Sequence, residues 1–64
     1  MMFLEHYLVK LNYQKPDGYW VVGHEEEVLV SVNHKMVEKD NHSWAAEMAK
    51  QKFPGCQIVR VSYI

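Results

Sequence analysis

The sequence predicts an α+β fold: one small domain, residues 1–64, with a three-stranded antiparallel sheet of order 2-1-3 and one helix packed on one face. Three observations carry this. Both ends of the chain alternate in hydrophobicity with the period of a strand. The tetrapeptide KPDG, Lys15 to Gly18, is turn chemistry. The stretch DNHSWAAEMAKQKFPG carries the start and stop signals of a single helix.

In the first strand, Met2 to Tyr13, the residues Phe3, Glu5, Tyr7, Val9, Leu11 and Tyr13 share one parity. Leu4, His6, Leu8, Lys10 and Asn12 share the other. At the turn, Pro16 presets φ, Asp17 tolerates the next position and Gly18 supplies the positive φ of a tight hairpin with a bulge. Tyr19 then opens the returning strand.

The stretch VVGHEEEVLV, Val21 to Val30, poses the main ambiguity. A turn centred on Gly23 and His24 sets Val21 opposite Glu26 and Trp20 opposite Glu27, apolar against carboxylate, which is a poor hairpin. One long strand fits better, with Leu11 near Val22, Leu8 near Glu25 and His6 near Glu27. Val28, Val30 and Val32 then share the helix-facing parity with Trp20 and Val22. Only His24 and Glu26 are misplaced, lying beyond the helix's cover or turned outward by a bulge at Gly23. As the second strand is an edge in a 2-1-3 sheet, its charges and glycine resist pairing with other chains.

Asn33 to Asn41 has no periodicity and reads as loop. Asn41 or Ser43 caps the helix, whose apolar stripe is Trp44, Ala45, Met48, Ala49 and Phe53. Lys50 and Lys52 complement the C-terminal dipole, and Pro54 and Gly55 end the helix. Cys56 to Ile64 alternates as the last strand. The expected core is Tyr7, Val9, Leu11, Val28, Val30, Val59 and Val61, closed by Trp44, Met48 and Phe53.

Composition narrows the function. With 64 residues the core is small, and a single cysteine excludes an internal disulfide, so self-association or a ligand is the available extra support. That lone cysteine fits a reducing, cytoplasmic setting. No apolar run reaches the length of a membrane span, and MMFLEHYLVK lacks a basic leader and holds Glu5, so no signal peptide is expected. A net charge of −1 provides no basic field for phosphate backbones.

Catalytic chemistry is not spelled out by these residues. His6, His24, His34 and His42 are scattered singly, without the spacing of a metal site, so neither a metal nor a cofactor is expected. Cys56 follows Gly55 at a strand start, with no helix N-terminus to activate it, and reads as a small buried hydrophobe. His6 with Glu27 has no nucleophile beside it. The chain therefore reads as a non-enzyme.

Two binding roles follow. The face away from the helix collects Leu4, Leu8, Val21, Leu29, Ile58 and Ile64, with Arg60 among the polar residues of its rim, more aliphatic than a solvated sheet face requires. It suits a protein-interaction module that binds another protein or forms a homodimer, in the size range of small inhibitors and adaptors such as those of phage and plasmid genomes. The alternative is weak nucleic-acid binding on the sheet aromatics Tyr7, Tyr13, Trp20 and Tyr63, disfavoured by the missing basic surround.

Overall fold

Strand β1 (Met2–Gln14) and strand β2 (Trp20–Asn33) form a long hairpin, helix α1 (Glu38–Lys52) crosses one face, and β3 (Gln57–Tyr63) pairs with the free side of β1. These elements come from a computed structural model, which describes the backbone of residues 2–33 and 38–64 and the side chains of 4–31 and 40–64. The sheet is antiparallel, in the predicted order β2-β1-β3. His34 and the rest of 34–37, within the segment read as loop, lie outside the described residues.

The KPDG turn closes as its residues require. Lys15 N–H donates to the Tyr19 carbonyl at 2.8 Å, Gly18 N–H donates to the Lys15 carbonyl at 2.9 Å, and Gly18 has φ +91°. Asp17 Oδ1 accepts from Tyr19 N–H at 2.9 Å. The three-residue loop pairs Gln14 with Trp20 and Tyr13 with Val21. This register differs from the expected one. Directly opposed residues share a face, so Val21 lies with Tyr13 on the helix side, and Trp20 and Val22 are exposed instead of facing the helix.

A bulge then restores the parity. Between Tyr13 and Leu11 the pairing slips, so Leu11 meets His24, Leu8 meets Glu27 and His6 meets Leu29. Gly23 takes φ +75°, a conformation costly for any side chain, and its N–H donates to Asn12 Oδ1 at 2.8 Å. VVGHEEEVLV is thus one bulged strand, as expected, and Val28 and Val30 reach the core.

The core consists of Tyr7, Val9, Leu11, Val28, Val30, Ala45 and Ala49, with Tyr13, Met48, Phe53, Cys56, Ile58 and Val61 packed around it. Two expected members are displaced. Trp44 is 56% exposed, because Ala45 and Ala49 form the centre of the buried stripe. The sheet contributes the bulk here: the Tyr7 ring stands edge-on to His42 and Tyr63, and small helix residues leave room for it. Val59 is also 56% exposed, because β3 slips between Arg60, paired with Lys10, and Ile58, paired with Leu11. Val59 is the extra residue of that bulge, and Ile58 takes the inward place.

The helix starts at Glu38, earlier than either expected cap. Glu38 and Asp40 thereby occupy the first turn, where acidic residues favour the positive dipole end. Asn41 is buried inside the helix instead of capping it, and its Oδ1 has no hydrogen-bond partner among the described residues. The C-terminal end agrees with the sequence: Phe53 N–H donates to Ala49, Cys56 N–H donates to Phe53, and Gly55 has φ +79°.

Candidate interaction surface

Length decides which surfaces stay open. The 15-residue α1 spans about 22 Å, while strands of 13 and 14 residues span roughly 45 Å, so the helix covers only part of the hairpin. The molecule is accordingly 44 Å in its longest dimension. Tyr19 and Trp20 at the hairpin tip are exposed.

On the face away from α1 the register places side chains in rows running from β2 through β1 to β3. They read Leu29, His6, Ile64, then Glu27, Leu8, Ser62, then Glu25, Lys10, Arg60. Ile64 joins the first row because its N–H donates to the His6 carbonyl at 3.1 Å. Leu4, opposite Ser31, extends the apolar end along β1. Leu4, Leu29 and Ile64 are 69%, 46% and 60% exposed, and Leu8 is half-buried at the centre.

Five of the residues assigned to this surface from sequence therefore share it: Leu4, Leu8, Leu29, Arg60 and Ile64. Val21 and Ile58 do not. Each lies on the helix side of a bulge, opposite Tyr13 and Leu11 respectively. Val59, Trp20 and Val22 are exposed apolar residues that the regular alternation had turned inward. Gly23 signals the slip that frees Val22, but no residue in QIVRVSY signals the one that frees Val59.

The charged members of this face have no ion pair among the described residues. The ion pairs among the described residues are His24–Glu26, Glu47–Lys50 and Glu26–Lys52, so Lys10, Glu25, Glu27 and Arg60 have none. Lys10 lies between Glu25 on β2 and Arg60 on β3, cross-strand neighbours of opposite and like charge respectively.

Around the β2 edge the apolar surface continues into a groove where Trp44, Met48 and Gln51 of α1 stand beside Leu29 and Ser31. The edge itself presents Glu25 and Glu27, both exposed. Centred self-pairing of β2 would bring these acidic stretches together, so their charge opposes edge-to-edge association.

His24 and Glu26 lie neither beyond the helix nor turned outward. They sit half-buried under its C-terminal end, where His24 stands edge-on to Tyr13 and Phe53 at 5.5 and 5.0 Å. His24 Nε2 is 2.9 Å from Glu26 Oε2, and Lys52 Nζ donates to Glu26 Oε1 at 3.2 Å. The His24 hydrogen bond, with that of Lys52 and its charge, holds the Glu26 carboxyl below its ordinary pKa of 4.5, against the upward effect of burial. This cluster ties β2 to α1. Among the described residues no three His, Cys, Asp or Glu side chains converge as metal ligands.

The aromatics are divided between roles. Tyr7 is buried, Tyr13 packs on Phe53 at 4.6 Å, and Tyr63 stands edge-on to Tyr7, so these three belong to the helix side. Trp20 alone of the four faces away, at the hairpin tip, and the stacking platform weighed for nucleic acid is split between the two faces. No helix among the described residues is long and apolar enough to cross a membrane. No protein-family model, curated protein or solved structure matches the chain.

Proposed function

We propose that this protein is a non-enzymatic interaction module that binds another protein, or a second copy of itself, through the sheet face turned away from α1. One observation carries the reading. Aliphatic side chains from β1, β2 and the residue after β3, Leu4, Leu8, Leu29 and Ile64, lie on a face over which no described element packs. Several exposed aliphatics on one face of a small domain are costly to leave in water and suit an interface. Leu8 at the centre, with Lys10, Glu25, Glu27 and Arg60 to one side, has the arrangement of an apolar core with a polar rim. Inhibitor or adaptor activity is the kind of role such a module serves, and the lone Cys56 suits a cytoplasmic setting.

A photo-crosslinking residue at His6, in the middle of the face, tests this in cells of the native host. Irradiation is expected to give discrete protein adducts, with itself or with a partner. The same probe at Ser43, exposed on α1, is expected to give none of them. Adducts equal from both positions, or absent from His6, overturn the reading.

A further inference from the structure

Resting on that reading of the open sheet face, we infer that its occupant is a second copy of this chain, related by a twofold axis running along β1. With Leu8, the middle of the face, taken as the centre of contact, two face-to-face arrangements bring one such sheet onto another with twofold symmetry: the axis runs through Leu8 either along the central strand or across it. The order of side chains separates them.

With the axis across the strands, each row meets the row on the other side of Leu8. Glu25 then opposes the second copy's Leu29, and Arg60 opposes its Ile64, burying charges against aliphatics in both directions. With the axis along β1, each row meets itself with β2 over β3. Glu25 then opposes Arg60 of the second copy, twice by symmetry, and Leu29 opposes Ile64, also twice. Leu8 meets Leu8 at the centre, and Glu27 meets Ser62.

Charge complementarity thus selects one axis. In the row of Glu25, Lys10 and Arg60 the acid lies on β2 and the base opposite it on β3, which is the polarity a twofold along β1 requires. None of these three has an ion pair among the described residues, which leaves their charges available to a second copy. The Lys10–Arg60 juxtaposition gains a carboxylate over Arg60 in the dimer. On the axis itself Lys10 meets Lys10 and His6 meets His6; the Lys10 pair is flanked by both copies of Glu25 and has long stems that let the ammonium groups diverge. Sheets packed face to face lie about 30° apart, which keeps these rows in reach near the centre.

Charge reversal gives a test specific to this geometry. Wild type is expected to sediment as a dimer at high micromolar concentration. Glu25→Arg and Arg60→Glu are each expected to weaken it by about tenfold or more, the scale of close interfacial charge pairs. Mixed in equal amounts, the two variants restore both cross-copy pairs and are expected to form a 1:1 heterodimer. Glu25→Gln, which removes the charge without reversing it, weakens the dimer less and replaces Glu25→Arg should that variant melt early. A wild type monomeric to millimolar concentration overturns the inference, and leaves the open-face reading standing if His6 crosslinks to a different protein. A wild-type dimer untouched by either reversal, or variants that fail to recover on mixing, overturns the geometry.

Discussion

Beneath α1 the side chains of Tyr7, Val9 and Leu11 are almost wholly withdrawn from water, while Leu4, Leu29 and Ile64 on the opposite face of the same sheet stay exposed. The open face is the less aliphatic, with Lys10, Glu25, Glu27 and Arg60 in its rows, yet it still carries Leu4, Leu8, Leu29 and Ile64. What separates the faces is the surface opposite them: Ala45 and Ala49 bring the helix close enough for sheet side chains to fill the space, and nothing in the described chain does so on the other side. The lesson is that small helix residues, not large ones, make this core, and that comparable strand residues become an interaction surface when left uncovered.

The largest test of that contrast is Leu11→Ala. It removes a fully buried side chain under the helix and is expected to cost about 2–5 kcal/mol, close to all the stability a domain this small holds. A cooperative thermal melt near that of wild type would erase the distinction between the faces.

Next in size is Gly23→Ala. The added methyl has room, meeting Lys10 Cε at 3.6 Å, but the φ of +75° is strained for an L-residue, at about 1–3 kcal/mol. Chemical synthesis with D-alanine at this position is expected to restore stability in urea unfolding. If L- and D-alanine behave alike, the bulge does not set the register of β2.

Glu26 sharpens the comparison at the margin of the covered face. Its folded pKa is lowered, so the His24 and Lys52 contacts stabilise the fold fully above the unfolded value near 4.5. That contribution is lost as pH falls below 4.5 through the folded value. Glu26→Gln is expected to be less stable at neutral pH and to show a smaller acid-induced drop, read from melts between pH 7 and 3. Parallel profiles for the two proteins would refute the link.

Smallest is Trp44→Ala, about 1 kcal/mol for a residue 56% exposed, against several for a buried tryptophan. A loss of the latter size would return Trp44 to the core.

Much of this was legible in the sequence. KPDG marks its turn because proline and glycine restrict or extend φ locally, and FPG ends the helix for the same reason. Alternation reports β1 and the inward parity of Leu4 to Tyr13 correctly, since the extra residues of both slips lie in β2 and β3 and not in β1. Of the open surface, Leu4, Leu8, Leu29, Arg60 and Ile64 were placed by that parity. Val21 and Ile58 were not, because each lies past a slip in register.

By itself, then, the sequence determined the order of elements, the hairpin turn, the sheet order and most of the core, all of which depend on local φ preferences and on a period of two or 3.6. Only the tertiary structure decided the rest. The phase of α1 was set by the volume of Tyr7 and Leu11 beneath it, which brought Ala45 and Ala49 inward and left Trp44 outside. The outward turn of Val59 was set by the pairing of β3 with β1, where Arg60 and Ile58 both find partners and one residue between them cannot. Neither cause is local: a side chain's burial there depends on the size and register of residues far away in the chain, which no short pattern records.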